Sequence, residues 1–134
     1  MSDSYFYSKI LLFGEYAILK NSRGISVPYR LYKGSLKFGD SNNKKVKKSN
    51  NVIIRFCEYM ESVSIKNKFD LKKMKTDIKS GLYFESSIPI GYGIGSSGAL
   101  VAALYEKYCT EKVSFVNNLD NKKNIILKNI FSLM

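Results

Sequence analysis

The chain has 134 residues, of which 45% are hydrophobic and 13% aromatic, and its formal net charge is +11. This size and composition predict a single globular domain with its own apolar core. The sequence contains no histidine and its two cysteines form no C-x-x-C pair. These facts exclude a Ser-His or Cys-His catalytic mechanism and a zinc site built from the usual ligands.

The N-terminus and the hydropathy of the chain predict a cytoplasmic protein without membrane association. No apolar run reaches the ~18 residues that cross a bilayer. The first four residues, Met1 to Ser4, lack the basic and apolar regions of a signal peptide.

Two extended segments open the chain. Tyr5–Leu19 is rich in Ile, Leu, Phe and Tyr and is interrupted at Gly14-Glu15, which predicts a buried strand, a turn and a return strand. Ile25–Phe38 is a second extended stretch. Pro28 favours an edge strand or a bulge there, because proline cannot donate a ladder hydrogen bond. We expect the two segments to pair.

The densest basic stretch, Lys44 to Lys48, lies among Asn and Ser residues. We interpret it as a solvated loop tip, with a weak electrostatic site for anionic ligands or RNA as the alternative. Only three of the 22 basic residues are arginines. Because nucleic-acid surfaces usually rely more on arginine with aromatic residues among the charges, we expect no nucleic-acid partner.

Helical periodicity follows the lysine stretch. Apolar residues recur at helical spacing over Asn51–Val63, which predicts an amphipathic helix. Asp70 is suited to cap a second helix that ends at Gly81. A last helix is predicted from about residue 118, and its apolar pattern is still running at the final residue. We therefore expect the chain to be cut rather than finished.

A glycine-rich segment, Pro89–Gly98, lies between a predicted strand, Leu82–Ile88, and a predicted helix, Ala99–Cys109. Glycines allow positive φ and close backbone approach, so that successive N–H groups can point at phosphate oxygens near the positive end of the helix dipole. A serine hydroxyl at the first turn could bind Mg²⁺. The alternative is a tight turn with a serine cap.

Other phosphate-binding loops fit this segment less well. A Walker A loop is excluded because no lysine stands at the start of the helix. A dinucleotide-binding fingerprint is formally present in Gly93–Gly98, with Val113–Val116 and Asp120 as the second strand and its ribose-binding acid. Pro89 and Gly91 interrupt the approach to that fingerprint, but it remains the alternative for an NAD-type domain.

Two motifs resemble those of the GHMP kinases, the family of galactokinase, homoserine kinase, mevalonate kinase and phosphomevalonate kinase. Pro89–Ala99 resembles the family's P-x-G-x-G-L-G-S-S-A/G-A loop, with Ile94 at the usual Leu position. Tyr7 to Ala17 resembles its first motif, P-G-K-hydrophobic-x-L-x-G-E-H/Y. The motifs occur in the family's order and separation, and the likeness is nearest to a mevalonate kinase-like branch.

The resemblance implies an α+β fold of the ribosomal protein S5 domain 2-like type, with residues 1–134 as an N-terminal ATP-binding domain. Lys9 would then stabilise charge near the phosphates, and Glu15 and Tyr16 would contact the acceptor. Ser97 would be a Mg²⁺ ligand. The residues that would hold ATP are Pro89, Gly91, Gly93, Ile94, Gly95, Ser96, Ser97, Gly98 and Ala99.

The resemblance also implies an activity: transfer of the γ-phosphoryl group of Mg-ATP to mevalonate, in isoprenoid precursor biosynthesis. Phosphomevalonate or another small anionic acceptor is the alternative, since Tyr16 stands where mevalonate kinases commonly have His and phosphomevalonate kinases Tyr. Tyr7-Ser8 replaces the usual Pro-Gly. The family's metal-binding Glu, catalytic Asp and C-terminal domain would follow Met134, so we expect this segment to be inactive alone. A homodimer of the full-length enzyme is compatible with the resemblance.

Overall fold

A computed structural model of the chain describes residues 4–13, 24–63 and 68–111. Within these ranges it contains three strands and three helices: β1 (Phe6–Phe13), β2 (Ile25–Phe38), α1 (Lys44–Ser62), α2 (Leu71–Lys79), β3 (Leu82–Ser86) and α3 (Ser96–Tyr108). The strands form an antiparallel sheet in the order β1-β2-β3. The predicted α+β class and the predicted pairing of the two N-terminal segments are confirmed at this level.

Pro28 lies in the central strand, β2. Although proline has no N–H, its presence here removes no hydrogen bond from the sheet. The strand β3 pairs only with Gly34 to Phe38, so no described strand lies beside the other edge of β2 at Pro28. On the β1 side Pro28 lies opposite Lys9. The Lys9 N–H donates instead to the carbonyl of Ile94, at 2.9 Å. Proline is therefore tolerated at position 28, because neither neighbouring strand needs an N–H donor there.

A register break divides the β1–β2 ladder. Tyr7 lies opposite Lys33, whereas the next residue, Ser8, lies opposite Tyr29. Residues 30–32 of β2 consequently have no partner on β1. The buried Ser8 hydroxyl donates to the Tyr29 carbonyl at 2.6 Å and fastens the two strands beside the break. Bulges of this kind redirect side chains that regular pairing would place elsewhere.

The helix α1 begins earlier than predicted, so the interpretation of Lys44 to Lys48 as a loop tip is wrong. The side chain of Asn43 caps this helix by accepting from the Lys45 N–H at 2.9 Å. Within the lysine run, Val46 is buried and continues the apolar stripe to Ile53. The lysines remain exposed on the other faces of the first turns.

The core lies between the three helices and β3. Its buried members are Ile53, Cys57, Met60, Phe69, Met74, Leu82, Leu100, Val101, Leu104 and Tyr108. Burial raises the pKa of the Cys57 thiol, with the nearby Glu61 carboxylate adding to the effect. Cys57 therefore behaves as a small apolar side chain. Both cysteines are free thiols.

Side chains of α1 hold the edge of β3. The Asn50 amide donates to the carbonyls of Ile78 and Leu82, at 3.1 and 2.7 Å. The Ser49 hydroxyl accepts from the Phe84 N–H at 2.8 Å. The bonds to Leu82 and Phe84 use backbone groups of β3 that would otherwise lie unpaired at a sheet edge, and the bond to Ile78 ties α1 to α2. They fix the strand that leads into the glycine loop.

The prediction of a buried N-terminal strand is wrong for the described part of Tyr5–Leu19. Ser8 is the one buried residue of β1, and Leu12 and Phe13 are exposed. The helices cover β3 and the adjoining part of β2 rather than the far end of β1. The predicted return strand after Gly14 and the helix from about residue 118 lie outside the described residues. No described helix is long and apolar enough to cross a membrane.

The C-terminal end of α3 is tied to α2 by a buried tyrosine. The Tyr108 hydroxyl donates to the Asp77 carboxylate at 2.7 Å, and the ring is almost wholly buried. Burial, followed by the bond to Asp77, raises the pKa of the Tyr108 phenol above its ordinary value. The Tyr108 carbonyl also accepts from the Asp70 N–H, at 2.8 Å. The predicted cap of α2 is confirmed, since the Asp70 side chain accepts from the Lys73 N–H.

We expect Tyr108→Phe to lower the free energy of unfolding by about 1–2 kcal/mol at pH 8, because it removes a buried bond to a carboxylate. The raised pKa adds a pH effect. Above the ordinary tyrosine value of about 10 the unfolded chain releases the phenol proton while the native chain keeps it. Stability therefore falls with rising pH by up to about 1.4 kcal/mol per unit. Urea denaturation between pH 8 and 11 should show this loss in the wild type and a shallower one in the variant. Equal slopes would contradict the assignment.

Candidate functional site

The loop between β3 and α3 has a backbone that requires glycine. Gly91, Gly93 and Gly95 have φ of +89°, +69° and +85°. These values lie in the left-handed region, which side chains with a Cβ adopt only with strain. Three such residues at alternate positions turn the chain sharply from the end of β3 into the start of α3.

The N-terminus of α3 offers free hydrogen-bond donors. The helix begins at Ser96, three residues before the predicted start, and so includes both serines of the loop in its first turn. Its N-cap is Gly95, which supplies no side-chain cap, and the first turn contains no acidic residue. The first intrahelical bond is that of the Ala99 N–H to the Gly95 carbonyl, at 3.0 Å. The preceding N–H groups are available to an anion, which the helix dipole also favours.

Lys9 lies against this loop. Besides the bond from its N–H to Ile94, its side chain passes over Gly95. A Cβ placed on Gly95 would lie 2.7 Å from Lys9 Cγ and 3.4 Å from Lys9 Cε. The structure thus brings together a lysine and a glycine loop that are far apart in sequence. Glu15 and Tyr16, the expected acceptor contacts, lie outside the described residues.

The other predicted loop residues differ in exposure. A Cβ on Gly91 or Gly93 would meet no atom within 4 Å, so the front of the loop is open. Ser97 is exposed, whereas Pro89, Ile94, Ser96 and Gly98 are half-buried. Ala99 is buried. Its contribution to the loop is packing.

A cavity of about 540 Å³ adjoins the loop. It lies between β1, β2 and the first turns of α3, and its lining includes Tyr5, Tyr7, Lys9, Pro28, Gly95 and Gly98. Among the described residues, none of those that line it is acidic. No pattern in the sequence indicated this cavity. Its lining comes from elements that are distant in sequence, Tyr5 to Lys9, two residues of β2, and Gly95 to Ala102, so local patterns do not reveal it.

The loop fits phosphate groups through its donors: the open N–H groups of the first helical turn, two serine hydroxyls and the Lys9 ammonium group. The same loop offers fewer ligands to a metal ion than donors to a phosphate group. Across residues 4–13, 24–63 and 68–111, no group of three or more His, Cys, Asp or Glu side chains could hold a metal. Mg²⁺ at this loop would depend on phosphate oxygens and on Ser97.

The antiparallel sheet, the covering helices and the glycine loop at a helix N-terminus together define an α+β domain whose glycine loop is suited to phosphate groups. Residues 51–114, slightly less than half of the chain, match the family model described as the GHMP kinases N terminal domain. This match supports the GHMP kinase family. It includes the glycine loop and α3, but β1 with Lys9 lies outside it. No curated protein and no solved structure matches the chain significantly.

The contact of Lys9 with Gly95 can be measured with a matched pair of variants. Gly93→Ala and Gly95→Ala both place a Cβ at positive φ, which costs roughly 1–2 kcal/mol. Only at Gly95 does the new Cβ also collide with the Lys9 side chain. We expect Gly95→Ala to be the more destabilising by about a further 1–2 kcal/mol in urea denaturation.

In a Lys9→Ala background the Cγ of residue 9 is absent. The two alanine substitutions should then cost the same, because their difference arises from one contact. A difference that persists in this background would show that Lys9 does not lie over the loop.

Proposed function

We propose that this protein is an ATP-dependent small-molecule kinase of the GHMP family, which binds the ATP phosphates at Gly91 to Gly98. The observation that carries the proposal is the meeting of Lys9 with the uncapped N-terminus of α3. A lysine and a row of free N–H groups on one loop are suited to a phosphate chain. The family match over residues 51–114 supports the same reaction class.

The described residues would act mainly by positioning and by charge. The N–H groups of the first helical turn would bind phosphate oxygens, and Lys9 would offset the negative charge of the transferring group. Ser97, exposed in that turn, is the proposed protein ligand of Mg²⁺. When bound, Mg²⁺ would neutralise part of the phosphate charge. Glu15 and Tyr16 are proposed to contact the acceptor.

Mevalonate is the proposed acceptor, with phosphomevalonate as the alternative. Support comes from the likeness of Tyr7 to Ala17 to the first family motif and from the cavity beside Lys9. Within the part of the chain that the structure describes, the lining of that cavity contains the positive charge of Lys9 and no acid. Such a lining favours a small anionic molecule over a neutral or cationic one.

The strand pairing argues against the NAD-type alternative. A dinucleotide-binding domain places its glycine fingerprint after a strand of a parallel sheet. Here the strand before the loop, β3, pairs antiparallel with β2, and β2 pairs antiparallel with β1. The residues proposed for the second parallel strand, Val113–Val116, and the ribose-binding Asp120 lie outside the described residues.

Calorimetric titration with a nonhydrolysable ATP analogue, with and without Mg²⁺, tests the nucleotide site. We expect Lys9→Met to weaken binding about tenfold or more, since it removes an interaction with a charged group worth roughly 1.5–3 kcal/mol. Lys72→Met is the matched control. It removes the same charge from an exposed position on α2 and should leave the affinity unchanged.

Two results would contradict the proposal. One is equal binding of the analogue by the wild type and Lys9→Met. The other is enhancement of NADH fluorescence by a protein that does not bind the ATP analogue. The acceptor is tested separately, by transfer of a radiolabelled γ-phosphoryl group to mevalonate or phosphomevalonate. Label on phosphomevalonate alone would replace mevalonate as the acceptor.

A further inference from the structure

The glycine loop exposes two large apolar side chains. Ile90 and Tyr92 are each 79% exposed, more than any other large hydrophobic residue that the structure describes. By contrast, Ile88, just before the loop, is buried, and Ile94, within it, is half-buried. The exposed pair belongs to the loop itself, and loops of this kind are where side chains that contact ligands are concentrated.

The ring of Tyr92 is accessible. Among the described residues, the aromatic pairs and the cation–π contacts all involve other rings. The glycines on either side leave space around it, since even a Cβ added to Gly91 or Gly93 would meet no atom within 4 Å. A flat ligand can therefore cover the Tyr92 ring without displacing another aromatic side chain.

Tyr92 lies outside the wall of the cavity. The cavity is lined by Lys9, Gly95 and Gly98, but by neither Ile90 nor Tyr92. In the proposed function, the acceptor occupies the cavity and the ATP phosphates lie at the first turn of α3. The ribose and base must then leave the phosphates on a side that the acceptor does not fill. The open front of the loop, which carries Tyr92, is such a side.

Tyr92 is also within reach of a base. It precedes Ser96, the first residue of α3, by four residues. Four residues of extended chain span at most about 14 Å. A nucleoside triphosphate is an extended molecule of comparable length. A base can therefore lie on the Tyr92 ring while the phosphates of the same molecule lie at the first turn of α3.

We propose that Tyr92 is a stacking platform for the base of the nucleotide, with Ile90 as an apolar contact beside it. The inference rests on the proposed function, in which the loop binds the ATP phosphates. A tyrosine ring offers a large flat surface and loses little conformational freedom when it is covered. Every nucleobase has a π-face that can stack on such a ring. Tyr92 thus gives the site its preference for a nucleotide over a bare phosphate chain.

Calorimetric titration with a nonhydrolysable ATP analogue and with inorganic tripolyphosphate, both with Mg²⁺, tests the platform. We expect the wild type to bind the analogue more tightly than tripolyphosphate. Tyr92→Ala should weaken binding of the analogue about tenfold and leave that of tripolyphosphate unchanged, because only the analogue carries a base. Tyr92→Phe, which keeps the ring, should retain most of the affinity. The matched control is Phe38→Ala, which removes an exposed ring at the last residue of β2 and should change neither affinity.

A tryptophan at position 92 reports the contact directly. The chain contains no tryptophan, so Tyr92→Trp introduces a single indole whose emission is separable from that of the tyrosines. Position 92 is exposed, so this variant should keep the native melting temperature. At saturation the analogue should quench the emission, because its base covers the ring, and tripolyphosphate should leave it unchanged. Equal quenching by the two ligands, or quenching by neither, would overturn the platform.

The two ligands also separate this inference from the proposed function. If the wild type binds both ligands equally well, or if Tyr92→Ala weakens both alike, the platform is wrong and the phosphate site of the kinase proposal stands. If the wild type binds neither ligand, the phosphate site itself is wrong, and the kinase proposal and the platform are both overturned.

Discussion

The bond between the Lys9 N–H and the Ile94 carbonyl is the contact on which the site depends. It joins the outer edge of β1 to the glycine loop. Pro28, opposite Lys9, leaves that pairing undisturbed. The side chain then needs space above the loop, and only glycine at position 95 gives it, since a Cβ would lie 2.7 Å from Lys9 Cγ. One edge contact thus accounts for the place of the lysine, the identity of a loop residue and one wall of the cavity.

The rest of the fold supports this contact by holding both ends of the loop. Before the loop, Ser49 of α1 fixes β3 through the Phe84 N–H. After it, α3 is held at its far end by the bond of Tyr108 to Asp77. Residues at positive φ are strained unless the surrounding structure determines their conformation. Here the loop spans two anchored elements, which hold its two ends in place.

Local patterns predicted local features, and long-range contacts decided the rest. The glycine loop and the Asp70 cap each depend on residues that are close together in sequence, so both could be predicted. The start of α1 was missed because the lysine run concealed the cap at Asn43 and the buried Val46. The cavity was missed because its lining residues come from β1, β2, the glycine loop and α3, which are far apart in sequence and meet only in the folded chain.

The distribution of charge links the two proposed binding places. The acids that make ion pairs, such as Glu61, Glu85 and Glu111, lie on or beside other elements, and β1 and β2 contain none. Positive charge therefore accumulates around the loop and the cavity. Two unit negative charges about 6 Å apart repel by roughly 3 kcal/mol at an effective dielectric constant of about 20. A nucleotide and an anionic acceptor would meet this repulsion. Lys9, which touches Gly95 and lines the cavity, is the cation placed to offset it for both.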